Sequence, residues 1–196
     1  FPEEEIKRLR HTGAMLQGHP DMKGTPGVDM STGSLGQGIS AACGMALSGK
    51  ISEKKYRVWT ILGDGECEEG QVWEAAMFAA HYGLNNLCAF VDFNGLQIDG
   101  AVTEVMNPTP LDTKFAAFGW NTLVIDGHDF DQIASAVEAA KRSAKPTAVI
   151  CKTTKGKGVS YMENVCAWHG SAPKTEQYEQ GMRELEEAEK ALLANV

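Results

Sequence analysis

The sequence predicts an α/β fold, a doubly wound and mostly parallel sheet with helices on both faces. Three observations predict it. Two hydrophobic runs, 58–62 and 87–93, are short, β-branched or aromatic and not alternating, which suits parallel strands covered on both faces. Helical segments at 69–82, 111–118 and 130–143 separate these runs from each other and from further strands at 121–125 and 147–153, giving the order β-α-β-α-β-α-β. The first two strands each end in a polar turn, Gly63-Asp64-Gly65 and Asp92-Phe93-Asn94-Gly95. In an open α/β sheet the ligand crevice lies outside the carboxyl ends of the strands, where both turns fall.

Composition bounds the reading. A chain of 196 residues, 43% hydrophobic, can bury one core, so a single domain over 1–196 is expected. The net charge of -8 argues against a nucleic-acid groove or an anionic membrane surface as partner. No apolar run reaches membrane-spanning length and none resembles a signal peptide; the cytoplasm is the expected compartment. Cys43, Cys67, Cys88, Cys151 and Cys166 contain no C-x-x-C pair and read as reduced residues in apolar surroundings.

In chain order, residues 3–16 carry Ile6 and Leu9 at helical spacing, predicting a short helix. Residues 18–38 are too rich in Gly and Pro for a regular element and form a long loop. The loop runs into a small-residue helix, 39–47, closed by Gly49. Glycines leading into a helix N-terminus fit a phosphate site, and they equally fit close helix packing. Residues 44–50 match G-x-x-x-x-G-K, but Ile51 replaces the hydroxyl residue of a nucleotide-binding loop. Asp64, Glu66 and Glu68 imitate a calcium loop that Glu69 and Ala75 then break.

Asp64 and Asn94, on turns separated by one helix, form with a backbone carbonyl beyond Asn94 a hard oxygen site suited to Mg²⁺. The helix between them is apolar nearly all round, which makes Glu74 unusual. A carboxylate there needs a helix edge, a partner or a subunit interface. Residues 95–110 read as irregular, and His128 as a turn residue capping the following helix. After the strand at 147–153, a loop at 155–174 carries Trp168-His169-Gly170, placing His169 either in the crevice or on the surface. Residues 175–193 read as an exposed amphipathic helix, with the C-terminal helix taken as 175–196.

G-D-G-E, followed by a helix and a strand to Asn94, resembles the thiamine diphosphate-binding motif. Gly18-His19-Pro20, the run from Thr32 to Gly38, Asp126-Gly127-His128-Asp129, and His169-Gly170 followed by Ala172-Pro173 narrow the resemblance to the transketolase family. The chain resembles its diphosphate-binding domain, and in particular the N-terminal subunit of a split transketolase. Ser34 stands where the family usually has proline. The resemblance implies a further segment, carrying S-G-H-x-G-G, before Phe1.

It also implies thiamine diphosphate and Mg²⁺ as cofactors, with Ca²⁺ or Mn²⁺ as substitutes. Asp64, Asn94 and the Leu96 carbonyl would bind the metal, and Gly65 would contact the diphosphate. His19, Gly33, Ser34, Leu35 and His169 would line cofactor and substrate, with His19 and His169 as catalytic groups. Glu69 and Glu74 resemble interface glutamates of a proton relay. The implied reaction moves a two-carbon glycolaldehyde unit from a ketose phosphate to an aldose phosphate. The activating glutamate belongs to a pyrimidine-binding domain, so the implied partner is a C-terminal transketolase subunit within a larger self-associated assembly. The alternatives are other thiamine diphosphate enzymes, of the 1-deoxyxylulose-phosphate synthase or 2-oxo acid dehydrogenase type, and a non-catalytic assembly subunit.

Overall fold

The computed structural model describes residues 2–194. Its centre is a parallel sheet built from β1 (Val58–Gly63), β2 (Leu87–Phe93), β5 (Asn121–Asp126) and β6 (Thr147–Lys152), in the order β1-β2-β6-β5. The last strand in sequence enters between β2 and β5, so β2 and β6 are central and β1 and β5 are edges. Register pairs Gly63 with Asp92 and Asp92 with Cys151, which brings the carboxyl ends level.

Strand alternation sorts the side chains into two layers. On one face Leu62, Leu87, Ala89, Val91, Ala148 and Ile150 meet α2 (Gln37–Ile51), α3 (Gly70–His81) and α5 (Leu111–Ala117). On the other, Cys88, Val149 and Cys151 meet Ala136 and Ala140 of α6 (Phe130–Arg142). Among the described residues α6 is the only helix packed there, and the outward side of β1 is bare: Ile61 is 76% exposed and Trp59 41%. The expectation that this strand is covered on both faces therefore fails, because a short run of apolar residues does not reveal whether a strand is central or at an edge.

Several local expectations are also corrected. The N-terminal helix α1 is only Glu3–Lys7 and buries nothing; without a packed face a short helix has little to sustain it. Arg10 then adopts φ 64° and its amide donates to the Leu16 carbonyl, which breaks the helical path expected to residue 16. α2 does not close at Gly49 but continues to Ile51. Gly49 is buried under the Tyr56 ring, where a Cβ would lie 2.9 Å from ring carbon, so it serves packing. The segment 95–110 contains a small hairpin, β3 (Leu96–Gln97) with β4 (Gly100–Ala101), and the short α4 (Val102–Val105).

The α6 N-terminus is capped by Asp129, whose Oδ1 accepts from the Asp131 and Gln132 amides at 2.9 and 3.0 Å. His128, expected to cap it, instead accepts from the Thr154 amide at 2.8 Å through Nε2. Asp, with its short acceptor side chain, is the better N-cap, which leaves the imidazole free to reach the next loop. α7 (Thr175–Leu193) folds back on the loop after β6, with Tyr161 donating to the Gln177 carbonyl and Ser160 to Glu184, both at 2.6 Å. Cys43, Cys67, Cys88 and Cys151 are buried free thiols, and burial pushes them up, to about 12 for Cys67 and Cys88. No helix among the described residues is long and apolar enough to cross a membrane.

Candidate functional site

The site is built where β1 and β2 end. β1 stops at Gly63 and Asp64 opens the 3₁₀ turn Gly65–Glu68. The Asp64 carboxylate is 2% exposed. Its Oδ1 accepts from the Gly65 amide at 2.8 Å and its Oδ2 from the Gly95 amide at 2.6 Å. Burial raises its pKa above the usual carboxylate range, the two amides oppose that shift, and the neighbouring Asp92 adds to it. Among the described residues every ion pair lies elsewhere, on helix surfaces. A buried carboxylate held by two amides, with lone pairs to spare and no cationic partner among the described residues, has the chemistry to ligate a hard cation.

Asn94 directly precedes the glycine whose amide Asp64 accepts. Its Nδ2 donates to Asp92 Oδ2 at 3.1 Å, while its Oδ1 accepts from the Leu96 amide at 3.0 Å. Asp92 is in turn held by the Thr153 hydroxyl. Because Asp92 takes the amide's donor end, the oxygen faces the turn. Asp64, through the Gly95 amide, and Asn94, through the Leu96 amide, thus meet on one turn, and with a backbone carbonyl of that turn their oxygens are the donor types that Mg²⁺ takes. Gly65 lies under Gln97, where a Cβ would approach the amide oxygen to 3.1 Å. Gln97 itself donates to Glu68 at 3.1 Å.

The glycine-rich loop is a closed unit. Asp21 accepts from the Lys23 and Gly24 amides and from Ser31 Oγ at 3.2, 3.1 and 3.1 Å. The fold brings His19 and Gly33 together: Gly33 has φ 127°, and a Cβ there would lie 2.4 Å from His19 Nδ1. His19, Ser34 and Leu35 are exposed. The loop meets the Asp64 turn at Gly36, whose amide donates to Glu66 Oε1 at 2.8 Å. This bears on the phosphate reading of the α2 N-terminus, because the Gly36 amide already has an internal anion. Gln37 and Gln71 exchange amide hydrogen bonds at 2.6 and 3.1 Å, tying the starts of α2 and α3 side by side.

His169 is exposed at the end of the 3₁₀ turn Cys166–His169, which packs beside β3 and so reaches the strand that follows Asn94. Glu69 is the N-cap of α3 and lies against Gly36, within 3.1 Å of where a Cβ would be. Glu74 does not lie inside an apolar bundle. α3 buries Val72, Ala75, Ala76 and Ala79 and turns Glu74 outward beside Met77 and Phe78, which are 57% and 37% exposed. The helix composition is apolar all round, but only one face meets the sheet. The residues that sequence reasoning passed over are Glu66, Asp92 and Gln97. They act through partners distant in the chain, and only a carboxylate placed next to each turn hinted at the first two.

Fold and donor set together define an open parallel α/β domain with two oxygen-bearing turns, at Asp64 and Asn94, outside the carboxyl ends of its strands. The chain matches the family described as transketolase, thiamine diphosphate binding domain, over residues 1–189, and belongs to that family. It is 48% identical over 187 residues to the 6-deoxy-6-sulfo-D-fructose transketolase subunit SqwG of a Clostridium species, covering 95% of this chain and 68% of that one. It is 42% identical over 185 residues to an apulose-4-phosphate transketolase subunit from Phocaeicola vulgatus, covering 94% and 66%. Among solved structures, the transketolase of Campylobacter jejuni superposes with a TM-score of 0.87 at 32% identity, over 92% of this chain and 29% of that one. The chain thus spans about two thirds of the subunit relatives and under a third of that enzyme. The parallel α/β fold and the transketolase resemblance are both borne out.

Proposed function

We propose that this chain is the diphosphate-binding subunit of a two-chain transketolase, transferring a glycolaldehyde unit from a ketose to an aldose only together with a pyrimidine-binding partner chain. The observation that carries the metal and cofactor assignment is the buried Asp64 carboxylate, fixed by two amides beside the Asn94 oxygen. When bound, thiamine diphosphate supplies a nucleophilic carbon able to hold the two-carbon unit. Asp64, Asn94 and the Leu96 carbonyl would hold Mg²⁺, whose charge allows a diphosphate to be buried. Gly65 leaves room beneath Gln97, and Lys155, half-buried in the loop leaving β6, adds a cation at the same end of the sheet.

His19 and His169, exposed on two loops, would bind substrate hydroxyls or move a proton, as imidazole can near neutral pH. Gly33, whose missing side chain admits the His19 ring, sets that imidazole's place; Ser34 and Leu35 would line the cofactor through their backbone. Glu69 and the outward face of α3, with Glu74, Met77 and Phe78, would be covered in the assembly. The relatives' names support anionic sugars as substrates: one is named for a sulfo-sugar and one for a sugar phosphate. Their names as transketolase subunits favour this reading over the other thiamine diphosphate enzymes.

The test is an assay of the purified chain with and without the partner, in thiamine diphosphate and Mg²⁺, using xylulose 5-phosphate and ribose 5-phosphate. Transfer is expected only with both chains present. Appreciable transfer by the chain alone overturns the two-chain reading, and absence of cofactor binding by the pair overturns the enzyme in favour of an assembly role.

A further inference from the structure

Glu66 joins two parts of the site that are far apart in sequence. Its Oε1 accepts from the Gly36 amide at 2.8 Å and its Oε2 from the Gly63 amide at 3.1 Å. Gly36 is the N-cap of α2, in a left-handed conformation with φ 78° that aims its N–H away from the helix and at the carboxylate. Gly63 is the last residue of β1 and directly precedes Asp64. One side chain therefore spans the exit of the glycine-rich loop and the strand end that carries the buried carboxylate. Each oxygen takes one amide, and charge-assisted bonds of this kind are the strong ones. Glu66 is half-buried, so water competes little for either bond.

The backbone on both sides has few alternatives. A Cβ at Gly36 would stand 3.1 Å from Glu69 Cβ, so α3 also holds the loop exit in place. Asp64 and Glu66 leave the same short turn for different partners, Asp64 for the Gly95 amide and Glu66 for the Gly36 amide. Moving the loop would break the Glu66 bridge, and moving the turn would strain both carboxylates.

We propose that Glu66 is a positioning residue that registers the loop at 33–35 against the Asp64 turn, so that the two sides of the cofactor cradle exist before the cofactor arrives. This rests on the cofactor reading above. The chemistry is specific to Glu. Asp is one methylene shorter and cannot span both amides, and Gln offers a single acceptor while its NH₂ meets an N–H.

The test uses the full chain with its partner chain, Mg²⁺ and thiamine diphosphate as probe, in wild type, Glu66→Gln and Glu66→Ala. Affinity is read by calorimetry, thermal midpoint by calorimetric scan, kcat at saturating cofactor, and amide hydrogen exchange at Gly36 and Gly63. Outer-shell partners of a bound group typically matter by about 10- to 100-fold. Glu66→Gln is expected to weaken cofactor affinity about tenfold and Glu66→Ala more, with kcat at saturation near wild type and with the Gly36 and Gly63 amides exchanging faster together. A lower thermal midpoint with unchanged affinity means a purely structural role and overturns the proposal, as does unchanged exchange at the two glycines. A wild-type pair that binds no cofactor removes the cofactor reading instead. The bridge itself then stands or falls on the exchange of the two amides alone.

Discussion

The two ends of the sheet use opposite hydrogen-bond chemistry. At the carboxyl end, side chains accept from backbone amides: Asp64 from Gly65 and Gly95, Glu66 from Gly36 and Gly63, Asn94 from Leu96, Asp129 from Asp131 and Gln132. At the amino end, side chains donate to carbonyls. Arg57 reaches the carbonyls of Asn85, Ala140 and Lys141, Lys50 those of Tyr82 and Gly83, and Asn86 that of Ala46. Helix direction is one cause. α2, α3 and α6 all start at the carboxyl end and finish at the amino end, so unpaired N–H groups such as those of Gly36, Asp131 and Gln132 gather at one and unpaired C=O groups such as those of Tyr82 and Lys141 at the other. The Gly63, Gly95 and Leu96 amides belong instead to the strand ends and the turn after β2.

The difference has a functional consequence. Acceptors that satisfy amides keep lone pairs for a metal or a substrate proton, whereas donors spent on carbonyls keep little for a ligand. The amino end is therefore a stability device and the carboxyl end a binding device that also stabilises. Substitutions at the two ends should separate these properties.

The largest effect is expected at Asp64. Asp64→Ala should reduce Mg²⁺-dependent thiamine diphosphate affinity on the order of 100-fold or more, while costing the unliganded chain little, because it removes a desolvated carboxylate along with its bonds. Calorimetry and a thermal scan check both halves, and a large loss of stability without loss of affinity would contradict the comparison. At the opposite end, Arg57→Met should lower stability by about 2 kcal/mol, chiefly through the Asn85 and Lys141 carbonyls it leaves without a donor, the Ala140 carbonyl keeping the Ser143 amide, and leave cofactor affinity unchanged. Denaturant unfolding beside a binding titration measures the pair.

Gly33→Ala should be intermediate. A Cβ at φ 127°, 2.4 Å from the His19 ring, must displace the imidazole, lowering kcat/KM about tenfold, on the order of one strained backbone position. Steady-state kinetics beside a thermal scan measure both effects, and a lower midpoint with unchanged kcat/KM would place the loop outside the binding end.

The last effect is absent at neutral pH and concerns the core shared by both ends. Cys67 and Cys88 are pushed up to about 12 and Cys43 and Cys151 to about 11, from 9.0. The folded state holds these protons when the unfolded state has lost them, so stability should be full below pH 9 and fall as pH rises toward 12. Cys67→Ala should make that alkaline slope shallower in unfolding measurements, and at pH 8 a thiol reagent should modify only the half-buried Cys166 of the native chain.

Much of this was legible in the chain. Residues 87–93 read as a strand and are β2, and the Asp64 and Asn94 turns fall at strand ends as their Gly and Asp neighbours required. A run of apolar residues and the turn that ends it are local facts, and local composition reports them. The glycine-rich loop was legible as a loop, but neither its closure by Asp21 and Ser31 nor the seating of His19 on Gly33 was.

Sequence alone thus determined the class of fold, the presence of an oxygen-donor pair at two strand ends and the family to which the chain belongs. Tertiary structure decided which strands are central, which face of α3 is buried, that Asp129 and not His128 caps α6, and that Glu66 links the loop to the Asp64 turn. Those outcomes depend on partners such as Gly36 with Glu66 or Asp92 with Thr153, separated by 30 and 61 residues. A contact of that kind leaves no periodicity and no local composition behind. It exists only once the sheet has brought its carboxyl ends level.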